Sequence, residues 1–441
     1  MPLSGSKLIV LAAAIAVTLA SAPDATAQSA RETDPRVMGW MDGFPPAPDK
    51  LITQPDSDYF SFPKLRWSVC HLREFLPTKQ ISRGLGAPIS LQYLPPEELS
   101  GEQQAIDKLT FKPSNSNDEM TWEESLYANY TDGILIIHKE RVVYERYFGC
   151  LREDGKHAAM SMTKSLTGLL AQILVEEGAL DETLPVRDLI PEIENSAFAN
   201  ATVRQVMDMT TGVRYSEDYS DPKADIWIYS AAASPLPKPE GYNGPDGYWE
   251  YLQQVKPDGK HGEQFHYKTI NADMLGWIIS RVSGKSVADL ASERLWRRIG
   301  MEQDAYQTVD GKGVPFAGGG LSAGLRDLGR LGLVMLNEGV NNGERLFPAE
   351  VAQKIRTGGD PAKFAGFPTI PQGSYTSQWW VFHNAHQAYA ARGVYGQTIY
   401  VDPTAEMVLV RFASFPKAQN SFIDPTSLPA YQAVAEYLMS K

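Results

Sequence analysis

The chain has 441 residues, 43% of them hydrophobic and 21% charged, the balance of a folded globular protein with room for a large core or two lobes. A formal net charge of −12 argues against nucleic acid or an anionic membrane surface as the main partner. There is no heptad run, low-complexity tract or fixed-period repeat, so coiled-coil and solenoid architectures are set aside.

Residues 1–27 read as a secretory signal. Lys7 supplies the positive start, Leu8 to Ala20 is an apolar run too short to span a membrane comfortably, and Ala25-Thr-Ala27 offers a small-x-small cleavage site. No cysteine follows closely, so no lipid or other stable membrane anchor is expected, and the mature protein would be periplasmic or secreted. Residues 28–117 are rich in Pro, Gly and Asp around isolated aromatics such as Trp40, Phe60 and Trp67, which predicts an extended arm packed on the main body. The remaining 118–441 form the predicted main domain. Gly133 to His138 and Val142 to Phe148 predict a β-hairpin. A helix opening at Ser161 should end at Gly178, a residue suited to a helix C-terminus. Thr202 should cap a helix over Val203 to Met209, and further helices are predicted over Asn271 to Val282, Val287 to Ile299 and Arg326 to Asn337. Strands return at Trp379 to Phe382, Gln397 to Val401 and Met407 to Phe412, and a helix over Pro429 to Met439 closes the chain. Strands, then helices, then strands predict an α+β fold: an antiparallel sheet built from both chain ends, with an inserted helical lobe and a cleft between. Cys70 and Cys150 are the only cysteines. In an oxidising compartment they either pair or stand as two buried thiols, and the sequence supports both. No Cys/His grouping has zinc spacing, and neither metal nor cofactor is expected.

The chemistry concentrates at Ser161-Met-Thr-Lys164. Three residues apart on a helix, the two side chains share one face. Lys164 is then placed to take the proton from the Ser161 hydroxyl, too weak a nucleophile unaided. The helix N-terminus adds free N–H groups for an oxyanion and a positive potential that lowers the lysine's pKa. The same spacing occurs at Ser61/Lys64, Ser220/Lys223 and Ser414/Lys417, but a proline precedes each of those lysines and disfavours continued helix. Ser4/Lys7 falls in the signal. Tyr267, just before the Asn271 helix, is a third candidate: it could reach Ser161, and a neighbouring lysine would lower its pKa toward the phenolate. Arg392-Gly-Val394-Tyr-Gly396 leads into a strand whose glycines permit close approach, so the Val394 N–H with that of Ser161 would make an oxyanion pair. A rival motif, Gly320-Leu-Ser322-Ala-Gly324, matches the nucleophile elbow of α/β-hydrolases. That elbow needs a strand before it, whereas Asp310 to Gly319 has turn composition, so Ser322 reads as part of a glycine-rich entry to the Arg326 helix.

At these sites the sequence resembles the serine β-lactamase/penicillin-binding superfamily, on its class C and esterase side, and within it the 6-aminohexanoate-dimer (nylon-oligomer) hydrolases and their relatives. Matching stretches run from Arg66-Trp67 through Ser161 and Lys164, Asp208-Met209, Tyr215 with Glu217-Asp218-Tyr219, Tyr267, Asp273 and Gln378-Trp-Trp380 to Asp402-Pro403. The resemblance implies a β-lactamase/transpeptidase-like fold, with Ser161 as acyl-accepting nucleophile, Lys164 as general base and Tyr267 as proton relay. It implies that Tyr219 lies on a mobile loop over the substrate and that Trp380 lines the pocket. Two departures bear on substrate. Ala391-Arg392-Gly393 replaces the usual Lys-Thr-Gly, and Arg392 is at best a bulkier substitute for a lysine that faces a β-lactam carboxylate. Ser230 and Gly318 fall where an efficient dimer amidase carries an acid and a polar amide. The expected activity is therefore an exported serine hydrolase of short esters or small linear amides, poor on the aminohexanoate dimer. The alternatives are a β-lactamase or D,D-peptidase, and a non-catalytic module that binds cell-wall peptide.

Overall fold

The computed structural model describes residues 29–441 except 53–57, 220, 239 and 365. The proposed signal segment lies outside the described residues. Among those described, no helix is long and apolar enough to cross a membrane.

One eight-stranded sheet organises the molecule. Its strands are Gln92–Tyr93 (β1), Thr131–His138 (β2), Arg141–Tyr147 (β3), Ser374–Thr376 (β4), Trp379–Val381 (β5), Tyr389–Gly393 (β6), Gln397–Asp402 (β7) and Met407–Ala413 (β8). They lie in the order β4-β5-β6-β7-β8-β2-β3-β1. The central β8–β2 pairing is antiparallel and joins the two ends of the chain, Leu409 facing Ile136 and Val410 facing Leu135. The sheet is antiparallel throughout except at its edge, where β1 runs parallel to β3.

The apolar run in β2 is buried on both faces, as its lack of polar alternation requires. Leu135 and Ile137 face a large core with helices Met162–Glu176 (α1) and Leu325–Leu336 (α4). Ile134 and Ile136 face a second core under the C-terminal helix Asp424–Met439 (α5), which supplies Tyr431, Val434 and Leu438. Asp225–Ala233 (α2) and Ile270–Ser283 (α3) belong to the helical lobe between the two halves of the sheet. The fold is α+β, with an antiparallel sheet built from both chain ends and an inserted helical lobe, as the order of strands and helices predicts.

A smaller antiparallel sheet holds the approach to Ser161. It orders Thr78–Ile81, Ala305–Thr308, Leu321–Ala323 and His157–Ala158, the last leading into α1. Two sequence readings change here. The 28–117 stretch contains a twelve-residue helix, Pro96–Asp107, and contributes strands to both sheets, so backbone pairing as well as packing holds it to the body. Ser322 sits in a fully buried strand, not in a loop entering the helix: Gly319 and Gly320 end the turn, and Leu321 already pairs with Gln307. Cys70 and Cys150 are joined by a disulfide with Cα atoms 6.0 Å apart.

Candidate active site

Ser161 stands at the N-terminus of α1 but does not use its hydroxyl to cap it. That task falls away because the preceding turn is tied down by Thr163, whose hydroxyl donates to the Met160 carbonyl (2.6 Å) and accepts from the Leu321 N–H (3.0 Å). Met160 itself is held at φ +48°, a costly backbone state for a side-chain-bearing residue and one concentrated at functional sites. The Ser161 Oγ is therefore left for chemistry. Lys164 Nζ lies 3.0 Å from it and donates to the Gly318 carbonyl at 2.6 Å. Lys164 is 1% exposed and Ser161 9%.

α1 is fixed against the sheet as closely as a helix can be. A Cβ on Gly168 would stand 1.9 Å from the Ser377 carbonyl oxygen. The Ser165 hydroxyl donates to the Gln378 carbonyl (2.7 Å), and the Trp379 indole donates back to the Ser165 carbonyl (2.9 Å). On the other side β6 ends beside the nucleophile: a Cβ on Gly393 would lie 3.0 Å from the Ser161 nitrogen. The chain then turns through Tyr395 (φ +64°) and Gly396 (φ +99°) into β7, which leaves Val394 on the cleft wall.

Tyr267 enters three residues before α3. Its ring stacks on Trp380 (centroids 5.4 Å, 26° between planes), and Lys164 Nζ lies 5.1 Å from its centroid. Ser161, Tyr267, Trp380, Tyr219, Arg392 and Val394 all line one cleft of about 320 Å³. Phe367 meets Trp380 edge-on across it (4.9 Å).

The electrostatics differ from the sequence expectation at one point. Burial lowers the Lys164 pKa, opposed by the charges of Glu217 and Asp273, so the amine is readied to be neutral. Tyr267 moves the other way. Burial and the nearby Glu217 carboxylate raise its pKa, and the contacts with Ser161 and Arg392 only partly oppose them. The predicted phenolate is thus replaced by a neutral phenol, because a lysine that is itself readied to be neutral gives a phenolate little support.

Three substrate-side expectations also change. Ser230 lies on α2, its hydroxyl donates to the Ile226 carbonyl of its own helix (2.7 Å), and it lines a separate cavity of about 90 Å³. Gly318 is a strut beneath Lys164, where a Cβ would lie 2.6 Å from Thr269 Cγ2. Arg392 is on the cleft wall but is ion-paired with Asp424 and held over the Trp380 ring, so it is not available as a lysine substitute for a substrate carboxylate. Tyr219 reaches the cleft and donates from its hydroxyl to Glu217 (2.8 Å).

Glu217 was given no role by sequence reasoning. It lines the cleft and accepts from the Thr269 N–H (2.8 Å) and hydroxyl (2.7 Å), which clamps the Tyr219 loop to the start of α3. Its place two residues before Tyr219 was the available signal. Asp424, from the C-terminal helix, carried none.

Comparison with known proteins agrees with this geometry. The beta-lactamase family model matches residues 127–426. The 6-aminohexanoate-dimer hydrolase of Paenarthrobacter ureafaciens is 33% identical over 357 residues, 80% of this chain and 86% of that one. A Bacillus anthracis structure provisionally assigned as a 6-aminohexanoate-dimer hydrolase superposes with TM-score 0.76 at 31% identity, over 90% of this chain and 99% of the other. The octameric penicillin-binding protein homologue from Pyrococcus abyssi shares the fold at 19% identity (TM-score 0.53, 70% and 75% covered).

Proposed function

The chain belongs to the beta-lactamase family and is a hydrolase of that fold, and from this premise we propose that it hydrolyses short esters or small linear amides through an acyl-enzyme on Ser161. The observation that carries the reading is the 3.0 Å contact between Lys164 Nζ and Ser161 Oγ at the floor of the cleft.

Neutral Lys164 takes the Ser161 proton as Oγ attacks the substrate carbonyl carbon. The oxyanion of the tetrahedral intermediate accepts from the Ser161 and Val394 N–H groups. The Tyr267 phenol protonates the leaving oxygen or nitrogen and regains its proton from the Lys164 ammonium. The leaving alcohol or amine departs, and Ser161 carries the acyl group as an ester. Water then adds to that ester with the same groups taking its proton, and the carboxylic acid is released.

The cleft's chemistry favours neutral acyl groups. Trp380 and Phe367 give it an aromatic wall, and Arg392, the one arginine among the described residues that line it, is already neutralised by Asp424. A β-lactam or a D-alanyl peptide brings a carboxylate that would find no unpaired cation among the described residues lining the cleft. A binding-only module has no use for a buried lysine aimed at a serine, and burying one is costly. Export remains part of the proposal, supported by the Cys70–Cys150 disulfide, a bond typical of oxidising compartments. Turnover of p-nitrophenyl butyrate, nitrocefin and a linear aminohexanoate dimer tests the substrate reading. Ester hydrolysis well above the other two is expected; nitrocefin as the best substrate would overturn it.

A further inference from the structure

The mechanism above makes no use of Asp273, a carboxylate that is 3% exposed and whose direct partners are hydrogen-bond donors. It lies on α3, and both its oxygens are engaged. Oδ1 accepts from the Gly318 N–H at 3.2 Å, and Oδ2 accepts from the Tyr229 hydroxyl of α2. The carbonyl of that same Gly318 accepts from Lys164 Nζ. A single residue therefore spans from the carboxylate to the lysine. The neighbouring Ala317 carbonyl accepts from Thr167, one turn along α1 from Lys164, which fixes the span at a second point. Glycine is required in it, since a Cβ at 318 would lie 3.0 Å from Asp273 Oδ2 as well as against Thr269.

An asparagine could accept from Gly318 and donate to the Tyr229 oxygen equally well. What only aspartate adds is charge. Each time Lys164 takes the Ser161 proton it becomes an ammonium inside the protein, and an unbalanced buried ammonium is costly. We infer that Asp273 is a positioning residue of the hydrolase, aiming Lys164 through Gly318 and supplying, with Glu217, part of the counter-charge that sets its basicity.

The surroundings leave few other groups for that task. Tyr229, Tyr248 and Tyr215 face Asp273 from α2, the Tyr248–Leu252 helix and the preceding loop, and burial keeps all three neutral. Glu217, on the cleft wall, is the other negative charge bearing on Lys164 and the larger of the two, so the loss of Asp273 alone removes part of the counter-charge. Burial raises the Asp273 pKa, and the Tyr229 hydrogen bond, the Lys164 charge and the Gly318 hydrogen bond only partly oppose the rise, so the carboxylate acts as a counter-charge toward the alkaline end of the range, where Lys164 sheds its proton.

The inference rests on the serine-hydrolase reading, so its test separates the two. The rate of labelling of the mature chain by a fluorophosphonate is measured from pH 5 to 10, in the parent and in Lys164→Ala, Asp273→Asn and Tyr229→Phe, with thermal melts of each. In the parent the rate should rise with pH as Lys164 loses its proton. In Asp273→Asn the midpoint should move down by about one pH unit, since an ammonium without its counter-charge is less stable, and the plateau rate should fall about tenfold because the base is weaker. Tyr229→Phe removes a donor that stabilises the carboxylate and should shift the midpoint the same way by less. A structural role alone would lower the melt without moving the midpoint. Unmoved midpoints in both variants overturn the inference, and if Asp273→Asn does not fold, Tyr229→Phe decides alone. No labelling of the parent, or undiminished labelling of Lys164→Ala, overturns the serine-hydrolase reading instead.

Discussion

Lys164 is a base because it is buried, and that gives the reaction its pH dependence. Burial brings its pKa from the usual lysine value down to about 8. The protonated lysine cannot accept the Ser161 proton, so kcat/KM for a p-nitrophenyl ester should fall as pH drops through about 8 and level off above it. An acid limb centred near pH 6 would point to a carboxylate or histidine base. Ser161→Ala should abolish ester turnover, whereas Ser322→Ala should leave the chemistry intact, because Ser322 is wholly enclosed in its strand. Lys164→Ala and Tyr267→Phe should each cost on the order of a hundredfold or more in kcat, the usual worth of a general acid–base group. At this scale the sequence was most informative where chemistry is local. Ser161 and Lys164 share one helical turn, and their geometry follows from spacing alone. The state of Tyr267 was not legible, because it depends on Glu217, fifty residues away in the chain, and on burial by Trp380. The place of Ser230 was not legible for a related reason: position along the chain takes no account of the helix at 225–233, which turns that serine's hydroxyl back on its own backbone.

The elements that carry the site are held by backbone contact and covalent linkage as well as by apolar packing. Gly168→Ala would drive a methyl into the Ser377 carbonyl, so α1 must shift from the sheet. A loss of about 1–3 kcal/mol is expected from such overpacking, together with reduced kcat because Ser161 moves with the helix; a variant with parental Tm and kcat would contradict the close approach. The disulfide closes a separation of 80 residues. Replacing Cys70 and Cys150 together by Ala should cost about 2–4 kcal/mol, read as a lower denaturation midpoint against the oxidised parent. Most elements were legible from periodicity. The hairpin, α1, the Thr202 helix with its Gln205 capping box, α3 and α4 appear within a few residues of their predicted bounds. β4 and β6 were not seen, since Ser-Tyr-Thr and Tyr-Ala-Ala-Arg-Gly show no alternation; both are buried on each face, where alternation is not needed. The predicted helix over 287–299 is interrupted by a π-helical stretch, Ser292–Trp296, for which the sequence gives no signal.

Across the whole molecule, the sheet made from both chain ends and the helical lobe between them bring Ser161 and Lys164 of α1 together with Tyr267, from a distant segment, at one cleft. That plan was legible from the order of strands and helices. The parallel edge strand β1 was not, because Gln92–Tyr93 is too short to carry a pattern. The central claim is an acyl group carried by Ser161 during turnover, and it is tested most directly by mixing the mature chain with a slow p-nitrophenyl ester, quenching with acid within the first turnover, and mapping the adduct by peptide mass spectrometry. A single acyl adduct on the peptide containing Ser161, absent from Ser161→Ala, is the predicted result. An adduct on another residue, or undiminished ester turnover by Ser161→Ala, would contradict the account.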